Sequence, residues 1–254
     1  MFRKKKLQTK TLKNNKKSFD TILKEGAIFI ADAHENGVNR KEFAKFLKKI
    51  EANEINAPQL FLMGDMFDFL SSGAQYAMFL HKQELELLDK IAQNTEVYYL
   101  EGNHDFNLSG IFKHVNVISL EKQPFYAKAA NLTFALSHGD LHGDFFYKIY
   151  TKIVRSKGVI FVLNKLDFGG LITKFVLKSQ QGKKICRNVE NFEEKISQKL
   201  KKYKNCDVVL EGHYHQNQSF TCSGIKYVNF ASFACDKLFY RFENCEFKAF
   251  EFYM

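Results

Sequence analysis

Five short polar clusters interrupt the apolar runs of this chain. They are Asp32-Ala33-His34, Gly64-Asp65-Met66-Phe67-Asp68, Gly102-Asn103-His104-Asp105, Ser137-His138-Gly139-Asp140 and Gly212-His213-Tyr214-His215. Carboxylate, imidazole and amide oxygen are borderline-hard donors that suit Mn, Fe, Zn or Mg. Alternate residues of an extended segment share a face, so D-x-H and H-x-H are each expected to turn two donors to one side. Glycine beside the donors lets the backbone turn sharply and come close to an ion or a phosphate. Seven donors with one shared carboxylate can hold two cations a few ångströms apart, which stabilises attacking and leaving oxygens in phosphoryl transfer. Any one of these histidines alone reads as an ordinary structural residue; the ordered set does not. His81, His114 and His142 lie outside the clusters, and Asp68 and Asp140 read as residues that fix loops or orient donors.

Four of the clusters directly follow an apolar run: Ile28 to Ala31, Phe61 to Met63, Val97 to Leu100 and Val208 to Leu210. Such runs read as strands buried on both faces. The carboxy ends of strands in open α/β sheets are where sites assemble. Between the runs, Phe43, Phe46, Leu47 and Ile50 fall at helical spacing after Asn39, a plausible cap, and Leu85, Leu88 and Ile91 mark a second helix face. Strand and helix therefore alternate in the first part, as in a layered α/β fold with a largely parallel sheet. From Val115 the pattern becomes closely spaced strands, then a helical, apolar and basic stretch from about Leu141 to Lys184. Val189, Phe192, Ile196 and Leu200 predict a further helix, and the last 40 residues read as short β-type runs. The expected organisation is a basic tail at 1–19, a core at 20–140 and 188–254, and an inserted helical cap at 141–187.

The chain has 254 residues and a formal net charge of +10, which invites an anionic partner. Eight of the cations lie within residues 1–17 without an acid, and residues 145–187 carry ten against Asp167 alone. The remainder is acidic. The tail reads either as a solvated arm or as an electrostatic anchor to anionic lipid. Cys186, Cys206, Cys222, Cys235 and Cys245 show no C-x-x-C spacing and are expected to be free thiols of a reducing compartment. No run of 18 apolar residues is present, so a cytoplasmic location is expected.

The ordered motifs D-x-H, G-D-x-x-D, G-N-H-D, H-G and G-H-x-H resemble those of the calcineurin-like metallophosphoesterase superfamily, over Asp32 to His215. The resemblance implies an α/β fold of two sheets packed as a β-sandwich and flanked by helices. It implies that Asp32, His34, Asp65 and His215 hold one metal, and that Asp65 bridges to a second completed by Asn103, His138 and His213. His104 would meet the reacting phosphate, and Asp105 would orient it.

In the 141–187 segment, Phe145, Phe146, Ile149, Ile153 and Val154 interleave with Lys148, Lys152 and Arg155; Leu171, Ile172, Phe175, Val176 and Leu177 do so with Lys174 and Lys178. Apolar faces edged by cations suit acyl chains and anionic headgroups. The layout resembles the UDP-2,3-diacylglucosamine pyrophosphatase branch of the superfamily. That resemblance implies release of UMP and 2,3-diacylglucosamine 1-phosphate in lipid A biosynthesis, Mn²⁺ as the usual activator (with Fe, Zn and Mg as alternatives), and peripheral contact with the cytoplasmic face of the inner membrane. Arg155, Asn164 and Lys165 are candidates to fix glucosamine or phosphate. The branch usually carries arginine where this chain has His104. A nucleic-acid substrate is disfavoured, because aliphatic and Phe side chains replace the stacking aromatics that single strands need. Another phosphoester or nucleotide substrate, and a metal-bound protein-interaction scaffold, are the competing readings; the sequence assigns no oligomeric state.

Overall fold

A computed structural model describes residues 19–37, 40–141, 145–181 and 184–253. The basic tail up to Ser18, Asn39, His142 and Lys183 lie outside the described residues. In chain order the first elements are β1 (Thr21–Ile22), β2 (Ile28–Ile30), α1 (Glu42–Glu51), β3 (Gln59–Leu62), α2 (Gln75–Leu80), α3 (Lys82–Ile91), β4 (Glu96–Leu100) and β5 (Asn116–Ile118). Next come β6 (Phe125–Ala129), β7 (Leu132–Ser137), α4 (Phe145–Val154), α5 (Lys157–Leu166), α6 (Leu171–Gln181) and α7 (Phe192–Leu200). The chain closes with β8 (Val208–Glu211), β9 (Gln218–Cys222), β10 (Ile225–Asn229), α8 (Phe233–Asp236), β11 (Leu238–Glu243) and β12 (Glu246–Glu251).

Two six-stranded sheets result. One has the order β12-β11-β2-β3-β4-β5, with β2 to β5 parallel and β11 and β12 antiparallel at one edge. The other runs β1-β6-β7-β8-β10-β9, with β7, β8 and β10 parallel. The continuous apolar runs have a direct reason, since each strand faces two cores. Ile28 and Ile30 pack with Phe43, Phe46 and Leu47 of α1 and Leu85 and Leu88 of α3, whereas Phe29 between them points to the second sheet. There it stacks on Phe61 at 4.6 Å and meets Phe230 and Phe247. In the second sheet Phe134 and Leu136 face inward, while Ala135 and Val209 pack on Phe192, Ile196 and Leu200 of α7. The layers are therefore helix, sheet, sheet, helix, as expected for the fold class. Helix α1 starts at Glu42 without a side-chain cap.

The three helices α4, α5 and α6 stand over the carboxy ends of β3 and β4 and, among the described residues, meet the core at places including the following. Gly73 leaves room for Ile160, and Gly170 lies against the ring of Tyr76. Asn164 Oδ1 accepts the Gln75 N–H at 2.9 Å. Among the described residues no helix is long and apolar enough to cross a membrane.

The cysteine expectation needs correction. Cys186 and Cys235 form a disulfide, with Cα atoms 5.7 Å apart across 49 residues of sequence; Cys206, Cys222 and Cys245 take part in no disulfide. Their pairing depends on the segment before α7 passing beside α8, which local spacing cannot show.

Candidate active site

Parallel strands end together, so β2, β3 and β4 deliver Asp32, His34, Asp65, Asn103 and His104 to one edge, and β7 and β8 deliver His138, His213 and His215 against it. Backbone hydrogen bonds lock the loops to one another: Asp32 N–H donates to Gly64 O, His34 N–H to Asp65 O and Gly212 N–H to His138 O. The local backbone differs from the extended reading of D-x-H and H-x-H. Asp32, His34, Asp65, His213 and His215 are all left-handed, with φ between 47° and 60°. The donors converge because the chain coils back after each strand, not because a pleat alternates. Such conformations cost on the order of 1 kcal/mol each, and Asp and His tolerate them better than most residues.

The side chains form three overlapping groups: Asp32, His34 and His215; His34, Asp65 and His104; Asp65, His138 and His213. Within each group the candidate donor atoms lie within 4.8 Å of one another. His34 and Asp65 each belong to two groups, so the donors make one continuous array. Asn103 joins it through Oδ1, 3.2 Å from His138 Nε2.

This array fits divalent cations. His138 Nδ1 lies 3.0 Å from Met63 O, His215 Nδ1 2.9 Å from Ile185 O, and His104 Nδ1 3.0 Å from Asp68 O. A carbonyl only accepts, so each Nδ1 carries the hydrogen and each Nε2 is turned to the array. His34 differs: its Nδ1 lies 3.2 Å from Asp68 Oδ1 without making a hydrogen bond, so both of its buried ring nitrogens are left without a hydrogen-bond partner. Asp68 is held in turn by Arg40 at 2.9 Å and Asn36 at 3.3 Å. Glycine makes room for the carboxylates: a Cβ at Gly102 would overlap Asp65 Oδ1, and one at Gly212 would sit 2.5 Å from Asp32 Oδ2.

Charge is distributed accordingly. Burial would raise Asp32 and Asp65, but His215 beside the first and His138 and His104 beside the second hold both below the usual carboxylate range. Burial would likewise lower His138 and His215, yet Asp65 and Asp32 hold them above the ordinary histidine value. Burial and the neighbouring His138 push His213 down to about 4. Cations binding here would replace the protons on His138 and His215.

Asp105 does a different task from the one expected. Its carboxylate accepts the backbone N–H groups of Asp65 (3.0 Å), Met66 (2.6 Å) and Gly102 (2.9 Å) and the Tyr99 hydroxyl (2.6 Å). It shapes the Asp65 loop, while the His104 ring is oriented by the Asp68 carbonyl. Burial and Asp65 push Asp105 up to about 7, against the hydrogen bonds from Tyr99 and Gly102.

A cavity of about 420 Å³ opens from the array into the three helices. Asn103 and His104 line its floor, with Phe69 and Phe106 beside them; Val154, Ile160, Leu163, Ile172 and Val176 line its walls. Arg155 and Asn164 also line it, whereas Lys165 does not. Arg155 donates to Gly102 O at 2.7 Å, pairs with Asp140 at 3.4 Å and lies over the Phe106 ring, so it clasps the helices to the core. Lys165 sits outside, over the Phe161 ring.

Sequence reasoning missed a buried network beneath the site. Lys199 Nζ donates to Glu211 Oε2 and to Gly139 O, both at 2.6 Å, and Tyr203 and Tyr227 donate to the same carboxylate. The signal was present: Lys199 falls on the apolar face of α7 with Phe192, Ile196 and Leu200.

Comparison with known proteins agrees with this geometry. The family profile of the calcineurin-like phosphoesterases matches residues 27–217. A UDP-2,3-diacylglucosamine hydrolase of Histophilus somni (strain 129Pt) is 25% identical over 203 residues, covering 74% of this chain and 83% of that protein. The protein of the same name from Coxiella burnetii (strain Dugway 5J108-111) is 22% identical over 195 residues, covering 74% and 80%. Among solved structures, the E. coli phosphoesterase Yfce aligns over 86% of this chain and 88% of its own at 14% identity, with a TM-score of 0.45. With the family match spanning every strand end that carries a donor, the chain belongs to the calcineurin-like phosphoesterase family and is a metal-dependent phosphoesterase.

Proposed function

We propose that this chain hydrolyses the pyrophosphate bond of UDP-2,3-diacylglucosamine, releasing UMP and 2,3-diacylglucosamine 1-phosphate for lipid A biosynthesis. The observation that supports it is the cavity, which joins the donor array directly to an apolar chamber. Asp32, His34, Asp65 and His215 would hold one cation, and Asp65, Asn103, His138 and His213 the other, with Mn²⁺ the first candidate. Two such ions supply Lewis acidity, making water nucleophilic near neutral pH and offsetting charge on the phosphoryl oxygens.

The chain's own residues do the rest. Met63, Ile185 and Asp68 fix the rings of His138, His215 and His104 by accepting from Nδ1. His104, at the junction of array and cavity, directs Nε2 toward the phosphate while Nδ1 stays on the Asp68 carbonyl. Residues 141–187 act as a cap on a core of 20–140 and 188–254. Its walls receive acyl chains and exclude water, and Asn164, spent on Gln75 N–H, holds the wall in place more than it binds sugar. On the outside, Phe161, Leu166, Phe168, Leu171 and Phe175 are exposed beside Lys165 and Lys174, a surface suited to peripheral contact with an anionic membrane.

Filling the chamber tests the substrate reading. Val176→Trp is expected to lower kcat/KM for the diacylated substrate by at least about tenfold and to leave Mn²⁺-dependent hydrolysis of bis-p-nitrophenyl phosphate within about twofold. Equal losses on both substrates would remove the acyl role of the cavity.

A further inference from the structure

The segment between α6 and α7 passes over the edge of the site. Among the described residues, its hydrogen bonds to the rest of the molecule run to His215 and Gln216. The Ile185 carbonyl accepts the His215 Nδ1–H at 2.9 Å. The Arg187 carbonyl accepts from Gln216 Nε2 at 3.0 Å, and Val189 N–H donates to Gln216 Oε1 at 2.8 Å. The residue between Ile185 and Arg187 is Cys186, joined covalently to Cys235 in α8. Helix α8 is itself hung on the other donor loop: Ser232 Oγ–H and Ala234 N–H donate to Asp32 O at 2.8 and 3.1 Å, and Phe233 N–H donates to Ala31 O at 2.9 Å. The bridge thus ties the support of His215 to the support of Asp32, whose side chains meet at 3.1 Å. Cys186 is exposed and Cys235 half-buried, so a small thiol in solution can reach the bond.

We propose that Cys186–Cys235 is a thiol–disulfide exchange site that sets how firmly the Asp32, His34 and His215 group holds its cation. The inference rests on the two-cation reading above. A dithiol attacks one bridge sulfur as its thiolate, the S–S bond breaks, and the second dithiol sulfur displaces the remaining cysteine. Two electrons and two protons end on Cys186 and Cys235, and the reductant leaves as a cyclic disulfide. A small-molecule disulfide runs the exchange in reverse.

With the bridge open, Gln216 still holds Arg187 and Val189, but the Ile185 carbonyl is no longer anchored to α8. His215 then loses the partner that fixes its ring and its tautomer. Loss of such a partner weakens metal binding by roughly 10- to 100-fold, and the surviving Gln216 bonds place the effect at the lower end. The Asp65, His138 and His213 group has supports outside the bridged segment, with Met63 O behind His138, the Asp105 carboxylate on the Asp65 N–H and Asp32 Oδ2 on the His213 N–H, so its cation is expected to stay within about twofold of its affinity.

The test is Mn²⁺ binding by equilibrium dialysis on the full chain, oxidised and after treatment with dithiothreitol and anaerobic desalting. Alkylation and mass spectrometry report the bridge, and far-UV circular dichroism reports folding. The oxidised protein should take up two ions, and reduction should raise the Kd of one about tenfold while leaving the other within about twofold. The Cys186→Ser/Cys235→Ser variant should match the reduced protein and ignore reductant; if it does not fold, the reduced wild type decides. Identical binding curves, equal weakening of both ions, or free thiols at both positions in the oxidised protein would overturn the inference alone. No Mn²⁺ uptake by the oxidised protein would overturn the two-cation reading and the inference with it.

Discussion

At Gly102 the backbone passes so close to Asp65 that any β-carbon would overlap Oδ1, the oxygen that also accepts the His104 N–H at 2.8 Å. Gly102→Ala is therefore expected to displace the shared carboxylate and lower kcat/KM for bis-p-nitrophenyl phosphate by about 100-fold or more, with the far-UV spectrum unchanged. Protonation gives a second residue-level expectation. His138 and His215 are raised by their carboxylate partners, so in metal-free protein they stabilise the fold fully below their unfolded value of about 6.5. That contribution is lost as pH rises through the folded values. A cation replaces those protons, so its binding strengthens with pH, by up to about tenfold per unit for each proton displaced. The rise in Tm on adding Mn²⁺ should accordingly grow from pH 6 to pH 8 in differential scanning calorimetry; a shift independent of pH would remove His138 and His215 from the ligand set.

Among the elements, α7 carries the least obvious responsibility. Burial would lower Lys199, but Glu211 and Tyr214 outweigh it and keep the ammonium charged within the network below His138 and His213. Lys199→Ala leaves the Glu211 carboxylate buried with one charge uncompensated, a loss of about 3–5 kcal/mol in denaturant unfolding. Lys199→Met with Glu211→Gln should recover much of it. The strands and helices themselves were legible in the sequence for a physical reason: Phe29, Phe61 and Phe134 serve one core and their neighbours another, so continuous apolar runs could only be two-faced strands. The candidate donors were legible because four of the five clusters lie just past such a run. Their left-handed backbone was not, since only the packing of one loop on the next imposes it. The Asp105 contacts, the Arg155 clasp and the Cys186–Cys235 bridge escaped for a related reason: each joins residues brought together by the fold.

For the whole chain, the net charge of +10 resolves along the sequence into two basic segments, residues 1–17 and 145–187, and an acidic remainder that carries the candidate donors. Phe168, in the turn between α5 and α6, and Phe175 of α6 are 74% and 73% exposed, and Lys174 of α6 lies over the Tyr76 ring. Burying a Phe contributes at least about 1.5 kcal/mol and each nearby cation about 1 kcal/mol on an anionic surface. Phe168→Ser/Phe175→Ser should lower partitioning onto phosphatidylglycerol vesicles by roughly 100-fold in a sedimentation assay. Unchanged binding would remove this surface from the proposed membrane contact.

Whether a two-cation centre beneath an apolar chamber cleaves a nucleotide-lipid pyrophosphate is decided by incubating the Mn²⁺-loaded protein with UDP-2,3-diacylglucosamine and quantifying UMP. Stoichiometric UMP and 2,3-diacylglucosamine 1-phosphate are expected, formed at least about 100-fold faster than UMP from a UDP-sugar without long acyl chains, with formation abolished by Asp65→Ala. Equal rates on the two substrates, or no UMP from a protein that hydrolyses simple diesters, would contradict that reading.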